Sequence, residues 1–243
     1  TQAMLAVLRQ VGGDQPIRKL GVGVMMSRRT LCGIRSRFEK IFPPKKRVAE
    51  IFIDDPLAFN ILHYADYEGI DVLCNLIKAV AWGGKNLHAI QLDMIWPEGE
   101  VIQAFKSAHP DIQIVLQINP RALEQVEKNS AKLIAKLAEY GDALDYVLMD
   151  MSMGRGQAMS WQMLLPYAMD IYYSDLNLEV TVAGELGPNS LELVEPLVRH
   201  FLPDISIDAQ GQLRPSGSYF DPIDWPMAEQ YLVEAIKMFD QYR

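Results

Sequence analysis

Apolar residues gather along this chain in short runs, separated by longer stretches with helical spacing. The runs are LGVGVMM (20–26), NILHYAD (60–66), HAIQLDM (88–94), IQIVLQI (112–118), DYVLMDM (145–151), LEVTVAG (178–184) and DISIDAQ (204–210). Each is bounded by Gly, Pro, Asn or Asp. Several are continuously apolar rather than alternating, which is the pattern of strands covered on both faces. Between them, helical spacing falls near 70–82, 98–108, 121–140, 157–173, 189–202 and 224–241. The stretch 121–140 follows Asn119-Pro120 and ends at Gly141, with apolar residues at Leu123, Val126, Leu133, Ile134 and Leu137. Pro at the start and Gly just past the end are helix boundary signals.

Strand and helix in repeated alternation imply parallel pairing through right-handed crossovers. VAEIFID (48–54) reads as either an eighth strand or a short helix, and eight strands would close a barrel. The expected fold is therefore α/β, a (β/α)8 TIM barrel of the phosphate-binding type. An open doubly wound sheet is the alternative, but no GxGxxG or GxxxxGK[ST] follows the first strand. No repeat or change of composition divides the chain, so residues 1–243 are expected to form one domain. Residues 1–15 would be a flexible or helical extension.

Composition narrows the function. The chain has 243 residues, 49% hydrophobic and 22% charged, and 31 acids against 23 bases give a net charge of −8. That balance disfavours a nucleic-acid partner and suits a cytoplasmic protein. Two cysteines, Cys32 and Cys74, supply neither a disulfide framework nor metal-ligand spacing. No apolar run approaches 18 residues, so no membrane partner is expected, and the opening TQAMLAVLRQVGG does not read as a signal peptide.

The candidate chemistry lies at the strand ends. In a barrel these face the active site, and here they carry Asp66, Asp93, Asn119, Asp150, Glu185 and Asp208. Carboxylates are costly to desolvate, so several at one level point to catalysis or metal binding, or else to helix caps and ion pairs. Glycines follow the later strands at Gly154, Gly156, Gly184, Gly187 and Gly211. They let backbone amides approach an anion, and the last two loops of a barrel often hold phosphate.

From about His88 onward the chain resembles phosphoribosylanthranilate isomerase. AIQLD (89–93) is similar to that family's fourth strand, and LDYVLMDMSMGRGQAMSW to its sixth strand and glycine-rich loop. VTVAGELGPNSLELV is similar to its seventh strand, and SIDAQGQLR to its eighth. The resemblance implies a TIM barrel catalysing an Amadori-type aldose–ketose isomerisation of a phosphorylated sugar, without cofactor or metal. It would make Asp150 the general acid. Cys32, within Leu31-Cys32-Gly33-Ile34, would be the general base, and Arg47, within FPPKKR (42–47), would bind substrate. Asp93 and Asp208 would face the substrate, Gly184 and Gly211 its phosphate. Gly154, Arg155 and Gly156 would form a mobile loop closing over it. The chain departs from the family where the fourth-strand His-Gly reads Asp93-Met94, where a seventh-strand Gly reads Glu185, and where LGVGVMMS carries no Cys.

Two alternatives stay open. One is a barrel resembling ribulose-phosphate epimerase, with His63, Asp66, Asp93 and Asp150 imitating its metal set, although His63 and Asp66 would face opposite ways on a regular strand. The other is a barrel without catalysis that binds a metabolite or a protein. His88, His109 and His200 read as structural. The Met-rich segments read as core filling. The oligomeric state is not readable.

Overall fold

A computed structural model describes residues 1–13, 18–35, 38, 41–150 and 159–242. Its strands are β1 (Leu20–Ser27), β2 (Ala58–Asp66), β3 (Ala89–Met94), β4 (Gln113–Ile118), β5 (Tyr146–Asp150), β6 (Glu179–Ala183) and β7 (Ile205–Asp208). Every apolar run of the sequence coincides with one of them, although β1 extends one residue past its run and β2 begins two residues before its own. All pair in parallel with their chain neighbours, in the order β1 to β7. The sheet curls like part of a barrel, with helices on its outer face.

The strand-end residues align because the register is tight. Ala65 pairs with Asp93, Asp66 with Met94, and both Asp150 and Asp208 flank Ala183. Outward side chains such as Leu62, Ile90, Leu92, Ile114, Leu116, Val147 and Val182 are buried against the helices in one continuous core. Each such burial stabilises by about 1.5–3 kcal/mol.

One reading left open by the sequence is decided and one expectation is corrected. Of the two readings of 48–54 the short helix holds, and the segment is not an eighth strand: Val48–Ile51 is α3, preceded by a 3-10 turn at Lys45–Arg47. Seven strands are present among the described residues, and β1 pairs directly with β2. The stretch 121–140 is not one helix either. It divides into α6 (Pro120–Gln125) and α7 (Ser130–Ala138), because Glu127 and Lys128 take left-handed φ of 54° and 53°. Asn129 then starts α7 afresh, its side chain accepting from the Lys132 amide at 3.0 Å.

Residues 2–12 form a helix, α1 (Gln2–Gly12), rather than a flexible arm. Leu5 and Leu8 pack with Ala58 and with Ile236 of α10 (Trp225–Gln241), so α1 covers the foot of β1 and β2. β7 and β1 share no ladder among the described residues. Side chains span their seam instead. Below, Arg18 donates to the carbonyls of Ile205 at 2.9 Å and Pro203 at 3.2 Å, with its guanidinium 3.6 Å from the centre of the Phe239 ring. Above, the Gln210 amide reaches Met25 Sδ at 3.3 Å. Where loops follow β1 and β7, the Phe38 ring stacks with Phe220 at a centroid distance of 6.1 Å and meets Tyr219 tilted, at 6.2 Å.

Candidate active site

Side chains alternate across a strand, so each strand sends every second residue into the hollow of the curled sheet. At the foot of that hollow Phe59, Ile61, Ala89, Val115 and Leu148 pack together as an apolar floor. One step higher the inward positions turn polar: His63 on β2, Gln91 on β3 and Gln117 on β4. At the rim stand Asp93 on β3, Asp150 on β5 and Asp208 on β7.

Asp208 aside, these groups form one hydrogen-bonded chain. His63 Nε2 lies 3.3 Å from Asp93 Oδ2, and its Nδ1 lies 3.3 Å from Gln91 Nε2. Gln91 Nε2 also donates to Gln117 Oε1 at 3.1 Å, and Gln117 Nε2 donates to Asp150 Oδ2 at 3.3 Å. The Tyr67 hydroxyl, from the loop after β2, donates to Asp93 Oδ1. Gln91 and Gln117 are buried at 7% and 6% exposure, so their amides need these partners.

The electrostatics follow from the crowding of acids around one imidazole. Burial alone would depress the His63 pKa, but its hydrogen bond to Asp93 and the charges of Asp93, Asp208 and Asp150 outweigh it and raise it. For Asp93, burial pushes upward, but the hydrogen bond and charge of His63, with help from Tyr67, win and lower its pKa. Asp208 is raised, first by its surroundings in the hollow and then by Asp150, against the opposing pull of His63. The residue as a whole is nonetheless exposed, so solvent screens part of that rise. Burial and then Asp93 raise the Tyr67 phenol, while Arg121 on α6 pulls the other way.

Asp93, Asp150 and Asp208 thus come together as the sequence suggests. Asp66 does not join them. It shares their level but points outward, 1% exposed, accepting from the amides of Glu68 and Gly69 at 3.0 Å and from Tyr64 at 3.2 Å. It is a loop cap. The proposed metal set is split by this parity, and among the described residues no group of three His, Cys, Asp or Glu is arranged to hold a metal ion.

The structure does not bring Cys32 to Asp150. Cys32 ends α2 (Arg28–Leu31), its Sγ 3.8 Å from Asn75 Oδ1, beside Tyr64 on the outer side of the sheet. Arg47 is exposed and pairs with Glu50 at 3.0 Å, away from the hollow's acids.

Gly184 and Gly211 lie where the loops after β6 and β7 meet. Gly184 has φ of 138°, and a side chain at Gly211 would strike the carbonyl of Gly217 at 2.8 Å. The same loops are already engaged with each other. The Gly187 amide donates to Ser190 Oγ at 2.9 Å, and Gln212 donates to the Glu185 carboxylate. A cavity of about 290 Å³ remains between them, lined by Glu185, Asn189, Ser190, Gln212 and Met227. Gly154, Arg155 and Gly156 lie outside the described residues.

Gln91, Gln117 and Tyr67 are the members that sequence reading missed. Each glutamine interrupts an apolar strand two residues before the strand-end Asp93 or Asn119, a phase that marks the inward face.

No family model and no curated protein matches this chain. Among solved structures it is similar to the crystal structure of phosphoribosyl anthranilate isomerase from Thermus thermophilus. The two are 15% identical, with a TM-score of 0.59 and coverage of 100% of this chain and 96% of that one. The likeness establishes the fold: this is a barrel-type α/β chain, with an acidic, histidine-centred hollow at the carboxyl ends of its strands.

Proposed function

We propose that this chain is a barrel enzyme that isomerises a polyhydroxylated carbonyl compound, a sugar, by acid–base catalysis. The observation that carries the reading is the convergence of Asp150 and Asp208 with the His63–Asp93 pair, above an apolar floor, at the carboxyl ends of the strands. Both strand-end acids flank Ala183, which sets their backbones two strand spacings, roughly 10 Å, apart. That separation admits the reacting carbons of a sugar between them.

Aldose–ketose conversion moves a proton from C2 to C1 through an enediol, while the carbonyl oxygen gains a proton and the C2 hydroxyl loses one, and two groups with different proton affinities suit it. Asp208, whose affinity is raised, serves as the donor. Asp150, which accepts from Gln117, serves as the acceptor, and the roles exchange in the reverse direction. The resemblance in the sequence casts Asp150 as the acid; the hydrogen-bond direction favours the acceptor role in the forward step. Both nitrogens of His63 are engaged, so it acts through Asp93 and Gln91 by holding the layer in place.

The far end of the substrate meets the loops after β6 and β7. There Glu185 contributes a carboxylate and the Gly187 amide is already used, so an unphosphorylated sugar fits this end better than a phosphorylated one. The fold shared with a phosphoribosyl anthranilate isomerase supports the reaction class.

The test is isotope exchange. The protein is incubated in D2O with matched free and phosphorylated aldoses and ketoses, and deuterium at C2 of the aldose and C1 of the ketose is followed by NMR. Wild type is expected to exchange a free sugar. Asp150→Asn and Asp208→Asn are each expected to slow exchange by about 10²–10⁴-fold with little change in Tm. A folded wild type that exchanges no member of the panel, or variants that exchange normally, would overturn the proposal.

A further inference from the structure

The hydrogen bonds that join His63 to Asp150 have a direction, and that direction constrains where protons reside. An ionised carboxylate at Asp150 only accepts, so Gln117 must turn its Nε2 toward Oδ2, at 3.3 Å. Gln117 then presents Oε1 to Gln91, which must donate, at 3.1 Å. The same Gln91 nitrogen faces His63 Nδ1 at 3.3 Å, so Nδ1 must accept. His63 is thereby held as the neutral tautomer with its proton on Nε2, facing Asp93.

Now let Nδ1 take a proton. Two donors face each other unless Gln91 turns its oxygen to the imidazolium. Gln91 then offers oxygen to Gln117, which must turn its nitrogen inward and its oxygen toward Asp150. Two oxygens now meet at Asp150 unless its carboxyl group also carries a proton. Both amides are almost fully buried, so water offers little escape from these conflicts.

We infer that Gln91 and Gln117 are positioning residues forming a two-amide relay that couples the protons of His63 and Asp150, so that the two groups gain and lose them together. Charge attraction alone has the opposite sign. The groups facing His63 are Asp93 from β3, Asp150 from β5 and Asp208 from β7, with Tyr67 reaching Asp93 from the loop after β2. Each acid, by Coulomb's law, favours an imidazolium beside an ionised Asp150 and so opposes joint protonation. The relay deepens the proposed acid–base reading by tying the state of the proton acceptor Asp150 to the histidine beneath it. It also stands as a property of the folded protein whatever the substrate.

The experiment is NMR on the whole chain without substrate. The protein has four histidines, so the ring nitrogens of His63 can be assigned with a His63→Asn variant and followed against pH, together with the Asp150 carboxyl carbon. The relay predicts the Nε2–H tautomer at high pH. It also predicts that His63 and Asp150 titrate over one shared range, with a Hill slope above 1. In Gln117→Met, which keeps length but removes both partners, the slope should fall to 1. The His63 midpoint should then rise by at least half a unit, about threefold in proton affinity, as attraction to the acids acts unopposed.

Gln91→Met is the second break in the same chain and should act alike if Gln117→Met does not fold. The wild-type tautomer and slope alone decide the matter if neither folds. A wild-type slope of 1 or below, separate ranges for the two groups, or a neutral His63 protonated on Nδ1 would overturn the relay. Because no turnover is read, loss of the relay and failure of the isomerase proposal are separate results.

Discussion

Two aspartates at one level of the sheet illustrate how a single side-chain direction changes a residue's task. Asp66 ends β2 and Asp93 stands one residue before the end of β3, yet Asp66 turns outward to cap its loop and Asp93 turns inward to His63. Asp66→Ala leaves two amides and the Tyr64 hydroxyl without a buried acceptor. It should therefore cost about 1–3 kcal/mol in denaturant unfolding while leaving turnover in the folded fraction unchanged. For the His63–Asp93 pair the signs run in opposite directions. His63 is raised, so its contribution is complete below its unfolded value near 6.5 and is lost as pH rises through the folded pKa. Asp93 is lowered, so its contribution is present above about 3.8 and is lost as pH falls through its folded pKa. Both contribute together between those limits. His63→Asn should then lower stability most near pH 5.5, by about 1–3 kcal/mol, and less near pH 9. Paired thermal melts at the two pH values would check it, and an equal loss at both would refute the ionic part.

At the level of elements, the seam between β7 and β1 is held by side chains where the other strand pairs use a ladder. Arg18 contributes most there, since one planar guanidinium reaches two carbonyls and lies over the Phe239 ring. Arg18→Ala should lower stability by about 1–2 kcal/mol. Arg18→Lys should restore less than half of it, because an ammonium cannot fork between two acceptors or stack flat on a ring. Chemical denaturation of the three proteins measures this directly. The helix α1 supports the same region from outside through Leu5 and Leu8. Its burial explains why, of the flexible and helical readings that the sequence left open for this segment, the helical one holds.

For the whole molecule, the linear strand order makes β1 and β7 the edges and β3 to β5 the centre. Backbone amides in the centre are bonded on both sides and covered by the main core, so hydrogen exchange there should require global unfolding. Exchange measured by mass spectrometry should be slowest in peptides covering 89–94, 113–118 and 146–150, and faster in 205–208. Equal protection of β7 would mean that the seam is closed more firmly than its hydrogen bonds indicate.

The sequence by itself determined the parallel α/β architecture, all seven strand positions and the acids at their ends. Those features depend on local apolar runs and turn residues, which periodicity reports directly. It also contained the parity that separates His63 from Asp66, since three residues along a strand reverse the face. The tertiary structure alone decided the rest. That 48–51 is helical and β1 meets β2 directly depends on packing between segments, as does the left-handed break at Glu127 and Lys128. Cys32 and Asp150 lie on opposite sides of the sheet, which a linear motif does not record. The union of His63, Gln91, Gln117 and Asp150 joins residues from four strands. It forms because the sheet curls, and curvature is a property of the assembled strands.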